Sequence, residues 1–453
     1  MNIAITAFLT FLSLYFGIVA YYINRTVFDK VGGFLFSPLP FILINYFLIF
    51  IFRPVIIVCC NDNTLDYEVV DCNSIEAAIQ MGLLSLCAIF LPYLRTFKIC
   101  SNLPCRVKTG SKMNVTGRLF YVYLLLSILV LLGLFLFGSA INNTKYRMEN
   151  PSEYKFYFLF ILIQRFHFVA SVLVFFSFII ANFRCRRPFW VIGCLAASPV
   201  LTLFAAGRGA AFYLLIALGV SYIFAKSLRL SLKHIYLVLI LGLVFLGLNF
   251  ILGAVRIVVS SSSWTWSDIL DLIFYTEWLA GLGDMLALAS WDYSVFDVLI
   301  RILDRVNEYT YGQTNLQYLL AHIPRALWPD KPYDQGFMLY VTSRFYKDVY
   351  DLNGATFAGT IVGEGYLNFG VFGVLFYSYI FSVLLRRIYM KCLSQSNGIS
   401  IVLYSIAFPF SQQVIRGGLD AFISFFITIY IPLLILSRCL RSVADDNMVV
   451  SAD

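Results

Sequence analysis

Charged residues are scarce in this sequence: they make up 13% of its 453 residues, whereas hydrophobic residues make up 60%. A soluble domain carries about a quarter charged residues, so this scarcity excludes an ordinary soluble globular protein. Histidine is rarer still, with three in the chain, and the cysteines number ten. Because neither type has the spacing of a zinc site or of a disulfide framework, we expect no metal and no cofactor.

The apolar residues lie in long runs. A helix needs roughly 20 apolar residues to cross a bilayer, and these runs are too long and too uniform for transmembrane strands. We therefore predict an all-α polytopic integral membrane protein with about 11 (10–12) transmembrane helices. The predicted spans lie near residues 3–23, 34–54, 75–94, 119–141, 156–181, 189–206, 210–225, 235–255, 367–385, 399–415 and 421–437.

Lysine and arginine orient these spans, because they accumulate in cytoplasmic loops. Alternate loops hold most of the basic residues, for example Lys108 and Lys112 in one loop and Arg386 and Lys391 in another. We expect these loops and the C-terminus to be cytoplasmic and the N-terminus to lie outside. The net charge of +8 is then mostly this bias, and it does not indicate nucleic acid binding.

The longest loop lies on the predicted outer side. We divide the chain into transmembrane helices 1–8 (residues 1–255), an outer loop domain (256–362), and transmembrane helices 9–11 with a short cytoplasmic tail (363–453). The loop domain contains all but one of the six tryptophans, and tryptophan favours the membrane interface. Apolar and acidic residues at helical spacing over 267–290 predict an interfacial or re-entrant helix.

Several basic residues lie where the membrane disfavours charge, which is a functional hypothesis by default. Arg208 and Arg416 lie in short turns at the predicted outer face, each beside glycine, and Arg256 ends a span. A glycine turn lets a ligand approach closely, and the planar guanidinium suits phosphate oxygens. The alternative is snorkelling, in which the charge reaches the interface and the stem covers apolar surface. Arg165 and His167 lie inside the fifth span, where we interpret His167 as a buried structural histidine.

Three stretches of the chain combine glycine, arginine and proline in unusual patterns. They are TLFAAGRGAAFYLLIAL, then LAHIPRALWPDKPYDQG followed by GATFAGTIVGEGYLNFGVFG, and last VIRGGLDAF. Together they resemble the O-antigen polymerases, the Wzy-type oligosaccharide repeat-unit polymerases. The most specific patterns are Ile-Pro-Arg, Trp-Pro-x-Lys-Pro and Gly-Glu-x-Tyr-x-Asn-Phe-Gly. One long outer loop late in the chain also fits this family, whereas the N-terminal third matches only as hydrophobic helices.

The resemblance implies an enzyme at the periplasmic face of the bacterial inner membrane, with a GT-C-like fold and the outer loop as a periplasmic loop domain. Such a glycosyltransferase moves a growing glycan from undecaprenyl diphosphate to a new lipid-linked repeat unit and uses no nucleotide sugar. The implied partners are the undecaprenyl-diphosphate-linked oligosaccharide, membrane lipid and a chain-length regulator protein.

The implied reaction gives the basic residues a role. A departing diphosphate gains negative charge, and fixed cations near it would stabilise that charge. The prolines of 324–332 restrict the backbone and would hold neighbouring basic side chains in place. The alternative for this segment is a proline-stiffened loop with solvated charges. The predicted diphosphate-binding residues are Arg208, Arg325, Arg416, Lys331 and Arg256.

The acceptor hydroxyl must lose a proton, so a carboxylate or histidine is expected within hydrogen-bond reach of it. Our first candidate for this catalytic base is Glu364, at the mouth of the ninth span, followed by His322 and Asp420. Each has a structural alternative. Glu364 would cap a helix, His322 would be an ordinary structural histidine, and Asp420 would pair with Arg416.

Other functions stay open at this point. An O-antigen ligase shares the donor but delivers glycan to lipid A core, and Trp-Pro-Asp-Lys-Pro favours the polymerase. A GT-C mannosyltransferase would bind metal through acids of the first outer loop, here Asp62, Asp66 and Asp71. A lipid-linked oligosaccharide flippase is the non-enzymatic alternative, but the chain has no internal repeat. A scaffold for an assembly complex leaves the arginines unexplained.

Overall fold

The computed structural model describes residues 9–18, 36–60, 72–94, 117–141, 157–180, 188–206, 208–226, 228, 295–323, 327–328, 336–347, 357–394 and 398–437. Every regular element in these ranges is helical. Seven helical stretches among them are long and apolar enough to cross a membrane. The prediction of an all-helical polytopic membrane protein is therefore confirmed.

The helical stretches follow the predicted spans closely. The seven long ones are Pro38–Val55, Asn73–Leu94, Leu119–Leu136, Leu159–Ile180, Thr360–Leu393, Gly398–Gly417 and Leu419–Ser437, and three shorter apolar helices are Leu9–Ile18, Phe189–Leu203 and Gly209–Ala225. Each predicted span except 235–255 coincides with one of these. That span and the predicted interfacial helix over 267–290 lie outside the described residues.

We number the described helices in chain order. They are α1 (Leu9–Ile18), α2 (Pro38–Phe47), α3 (Arg53–Cys60), α4 (Cys72–Leu94), α5 (Gly117–Ile141), α6 (Tyr157–Ile180), α7 (Pro188–Ala206), α8 (Arg208–Ala225), α9 (Val295–Arg305), α10 (Gln313–Ala321), α11 (Phe337–Phe345), α12 (Thr360–Ser394), α13 (Gly398–Gly417) and α14 (Leu419–Phe425). The π-helical stretch Leu48–Phe52 joins α2 to α3, and Phe426–Tyr430 extends α14.

Helix α12 lies at the centre of the helix packing. It packs most extensively on α4 and α13, and α13 packs in turn on α8. Helices α5, α6, α7 and α8 contact one another and join the same continuous apolar core, which contains Phe176, Phe381 and Tyr404. The loop-domain helix α9 packs on both α4 and α12, so this part of the loop domain is attached directly to the membrane helices.

Helix α12 is broken at Phe369 and Gly370, whose backbone torsions are not helical. Gly370 has a φ of +63°, and the ring of Tyr309 occupies the place where a Cβ would lie, so glycine is required here. The helix begins at Thr360, earlier than the predicted span. Glu364 lies near the start of this helix, on the segment before the break. Hydropathy missed this segment because its polar side chains are buried against protein.

A buried ion pair fixes the loop domain to the membrane helices. Arg53 at the start of α3 is 0% exposed, and its Nε and Nη2 donate to Oδ1 and Oδ2 of Asp297 at 3.2 and 2.5 Å. Asp297 lies in the first turn of α9, where the helix dipole also stabilises its charge. A two-bond arginine–carboxylate contact sets orientation as well as distance, so α9 is held in one position.

Candidate active site

Glu364 connects two family-like stretches that are far apart in the sequence. Its side chain is 0% exposed, and its Oε2 accepts a hydrogen bond from the backbone N–H of Leu419, the first residue of α14. The backbone N–H of Asp420 faces the same carboxylate. Glu364 on α12 thus caps the N-terminus of α14, where unpaired N–H groups and the helix dipole favour a negative charge.

Asp420 in turn holds the N-terminus of another helix. Its Oδ2 accepts a hydrogen bond of 2.5 Å from the backbone N–H of Phe337, the first residue of α11. Asp420 is 1% exposed, and its Oδ1 makes no hydrogen bond within the part of the chain that the structure describes. One carboxylate oxygen therefore holds a helix terminus, and the other is buried without a hydrogen bond among the described residues.

Two glycines make these close contacts geometrically possible. Gly418 precedes α14 with φ 81° and ψ −166°, and Gly336 precedes α11 with φ 90° and ψ 169°. This backbone region is essentially restricted to glycine. A Cβ on Gly418 would overlap the Glu364 carboxylate, and one on Gly336 would lie 2.7 Å from Oδ2 of Asp420.

Side chains of α10 complete the site. Asn315 donates from Nδ2 to Oε1 of Glu364, and its Oδ1 accepts a hydrogen bond of 2.5 Å from the hydroxyl of Tyr377 on α12. Tyr318 lies beside Asp420. Burial and then the negative charge of Asp420 raise the pKa of Tyr318 to about 12, so this phenol is neutral at neutral pH. Two side chains of α10, Asn315 and Tyr318, therefore face the carboxylate pair.

Asn368 anchors α10 at the break in α12. Its Oδ1 accepts hydrogen bonds from the hydroxyl of Thr310 at 2.7 Å and from the backbone N–H of Gly312 at 2.9 Å. Its Nδ2 donates to the carbonyl oxygen of Glu364 at 2.9 Å. The carbonyl oxygens of Leu367 and Asn368, which the break frees, accept from the N–H groups of Thr310 and Tyr311. This side chain therefore fixes the segment that leads into α10.

The site lies at one end of the helix bundle. Because α12 and α13 are antiparallel, the start of α12 and the end of α13 lie at the same end, together with the start of α14. The opposite end of α12 carries Arg386, Arg387 and Lys391. If those basic residues are cytoplasmic, as predicted, the carboxylate pair faces outward.

The described structure places some of the predicted site residues, whereas others lie outside the described residues. The side chains of Glu364 and Asp420 lie next to each other. His322 follows α10, and its Nδ1 donates to the carbonyl oxygen of Tyr318 at 3.0 Å. Arg416 is partly buried in the last turn of α13, next to the turn that Glu364 caps. Arg325, Lys331 and Arg256, and the side chain of Arg208 at the start of α8, lie outside the described residues.

Sequence reasoning missed three polar residues of the site, Asn315, Tyr318 and Tyr377. A signal for the first two was present, because Asn315, Tyr318 and His322 recur at helical spacing. Such spacing places them on one helix face, and in the structure that face contacts the carboxylates. Nothing distinguishes Tyr377 from the other aromatic residues of its span.

The described residues contain no group of three or more His, Cys, Asp or Glu side chains arranged to hold a metal ion. Asp62, Asp66 and Asp71, the acids of the metal-dependent alternative, lie outside the described residues. No family model, curated protein or solved structure matches this chain. The function must therefore be argued from the residues themselves.

Proposed function

We propose that this protein is an oligosaccharide repeat-unit polymerase of the O-antigen polymerase type. The observation that supports this best is the meeting of two family-like stretches in one buried polar site. Gly-Glu-x-Tyr-x-Asn-Phe-Gly contributes Glu364 and Asn368, and VIRGGLDAF contributes Gly418 and Asp420. Ionisable groups buried in membrane protein are costly and usually functional, and this pair lies at the end of the bundle where a lipid-linked substrate would be handled.

In the proposed reaction, the bond between the anomeric carbon of the growing glycan and the undecaprenyl diphosphate breaks, and its electron pair leaves with the diphosphate. A hydroxyl oxygen of the incoming lipid-linked repeat unit forms the new bond to that carbon. The hydroxyl proton passes to a carboxylate of the enzyme. Acid–base catalysis of this kind contributes roughly 10²–10⁴-fold to a rate.

Asp420 is the better base of the two buried carboxylates. Both oxygens of Glu364 already accept hydrogen bonds, from Asn315 and from the backbone of Leu419. Asp420 uses only Oδ2 in this way, and its Oδ1 has no hydrogen bond within the described residues. We therefore assign proton abstraction to Asp420 and assign to Glu364 the positioning of the helix that carries it. This reverses the order of the two candidates in the sequence analysis.

The basic residues complete the proposal. Arg416, with Arg208, Arg325, Lys331 and Arg256, would bind the diphosphate and stabilise the charge that develops on it. Gly336, which follows the segment containing Arg325 and Lys331, lies at the site, since a Cβ there would meet Oδ2 of Asp420. We place this chemistry on the periplasmic side of the bacterial inner membrane, in a GT-C-like fold that works with a chain-length regulator protein.

The direct test is polymerisation by the purified protein in lipid nanodiscs. Given undecaprenyl-diphosphate-linked repeat units and no lipid A core, it should produce lipid-linked chains of two or more repeats, measured by mass spectrometry. Transfer that occurs only when lipid A core is added would identify a ligase instead. Movement of the substrate across a vesicle membrane without any new glycosidic bond would identify a flippase. Either result would refute the polymerase proposal.

A further inference from the structure

A second polar site, separate from the carboxylate pair, lies among helices α5, α6, α7 and α8. It is a cavity of about the size of one water molecule, with polar lining from Gln164, Arg165, His167 and Thr202. None of its described lining residues is acidic. Ala210, in the first turn of α8, also lines the cavity, which places it at the α7–α8 end of the bundle and two positions from Arg208 in the chain.

Arg165 brings a positive charge into this cavity from inside a membrane-spanning helix. Within the described residues no carboxylate forms an ion pair with it, and the group that it interacts with electrostatically is the phenol of Tyr318. Tyr318 is neutral and cannot compensate a full charge. Because a guanidinium in this environment is costly without a counter-charge, an anionic ligand is the missing partner.

A buried nitrogen atom of His167 independently indicates that the cavity holds a ligand. The residue is 2% exposed, and its Nε2 is buried without a hydrogen bond within the described part of the chain. Its ring stacks on that of Tyr123, with the ring centroids 5.4 Å apart, so the imidazole orientation is fixed. A buried polar atom without a partner costs free energy, and a ligand oxygen in the cavity that His167 lines would remove that cost.

We propose that this cavity binds an anionic oxygen of a phosphate or diphosphate ester, held by Arg165 and His167. The size of the cavity suits one phosphoryl oxygen, with the rest of the group lying outside it. Tyr318 lies near both Arg165 and Asp420, so the bound phosphate would be next to the carboxylate site. On the proposed function, the ester is the polyprenyl diphosphate carrier. The inference rests on that function for the identity of the carrier and not for the phosphate chemistry.

Binding of farnesyl diphosphate to the full-length protein in nanodiscs tests this site. We expect Arg165→Gln to weaken binding about tenfold or more, and His167→Phe, which keeps the aromatic stack, to weaken it several-fold. Arg165→Lys should retain part of the affinity. Arg386→Gln, at the opposite end of α12, is the matched control and should bind like the wild type. Farnesol, which lacks phosphate, should not bind detectably.

Competition then identifies the source of the phosphate. If inorganic pyrophosphate displaces farnesyl diphosphate, the site binds a free anion. If phosphatidylglycerol displaces it, the site binds a lipid headgroup. If neither displaces it, the site binds the polyprenyl diphosphate. Each supports the phosphate chemistry, whereas equal affinity of Arg165→Gln and Arg386→Gln overturns it. If Arg165→Gln does not fold, wild-type affinity in His167→Phe and Arg165→Lys overturns it. Arg165-dependent binding without any polymerisation would keep this site and reject the proposed function.

Discussion

The Glu364 carboxylate lies against Gly418 at the point where any other residue would place its Cβ. The N–H of the next residue, Leu419, donates to the same carboxylate. The carboxylate that contacts Gly418 therefore also caps α14. A residue of α12 and the turn before α14 are therefore matched in shape, although more than fifty positions separate them in the chain. This match defines the position of Asp420.

Gly418→Ala should destabilise the site severely. The alanine Cβ would overlap the carboxylate, and its backbone would occupy a glycine-only region, at a cost of about 1–3 kcal/mol for the torsions alone. We expect a lower melting temperature in detergent and loss of polymerisation. Gly219→Ala in α8 is the matched control, since a Cβ there meets nothing within 4 Å. A Gly418→Ala protein as stable and active as this control would contradict the described cap.

Asn368→Ala should release the segment that leads into α10. The change removes a buried amide that accepts from Gly312 and donates to the Glu364 carbonyl, and each unsatisfied partner costs about 1–3 kcal/mol. Faster proteolysis of the loop domain and a lower melting temperature are the expected results. Asn45→Ala, which removes a single bond from Nδ2 to the carbonyl of Phe41, provides the comparison and should cost less. Equal effects of the two changes would argue against the role given to Asn368.

The ion pair between Arg53 and Asp297 can be tested with a double-mutant cycle. Arg53→Met should destabilise the protein by about 3–5 kcal/mol, because it removes the cation that makes a two-bond contact with the Asp297 carboxylate. Adding Asp297→Leu should recover much of the loss, since the carboxylate that Arg53 stabilised is then gone. Thermal unfolding of the four proteins measures the coupling. Strictly additive effects would show that the two side chains do not interact.

The arginines assigned from the family-like stretches should affect activity and not insertion. We expect Arg208→Ala, Arg325→Ala and Arg416→Ala to reach the membrane at normal levels and to give surface glycan with single repeats on a ladder gel. Lysine at these positions should also be damaging, because lysine cannot bind phosphate oxygens in a two-bond contact. Arg387→Ala, an exposed arginine at the opposite end of α12, is the control. Normal ladders from all three variants would remove these residues from the proposed site.

Hydropathy alone predicted the membrane helices, because spanning length and apolar composition are local properties of the chain. Glu364 and Asp420 were predicted as candidate bases from the reaction that the resemblance implies, and their part in catalysis stays a prediction. The contact between them could not be predicted. Glu364 caps the helix that carries Asp420 through contacts between distant parts of the chain, and no local sequence pattern indicates such contacts.

The break in α12 shows the same limit. Its torsions at Gly370 are compatible with the sequence, but they are fixed by Tyr309 and by hydrogen bonds from the segment before α10. Arg53 is a second example, because its partner Asp297 lies in another domain of the predicted layout. Local periodicity predicted the helices themselves, and it could not predict which buried polar groups would satisfy one another.

Asp420→Asn gives the sharpest test of the proposed chemistry. Asparagine keeps an oxygen for the N–H of Phe337, and the new Nδ2 replaces an oxygen that makes no hydrogen bond within the described residues. The fold should therefore survive while the base is lost. Asp304→Asn, at an exposed position of α9, controls for the loss of an acid.

The decisive measurement is the glycan ladder from cells that lack this protein and express Asp420→Asn at wild-type level, with the melting temperature of the purified variant measured in parallel. We predict an unchanged melting temperature and a ladder that stops at a single repeat unit. A full-length ladder from Asp420→Asn would show that this carboxylate takes no part in bond formation.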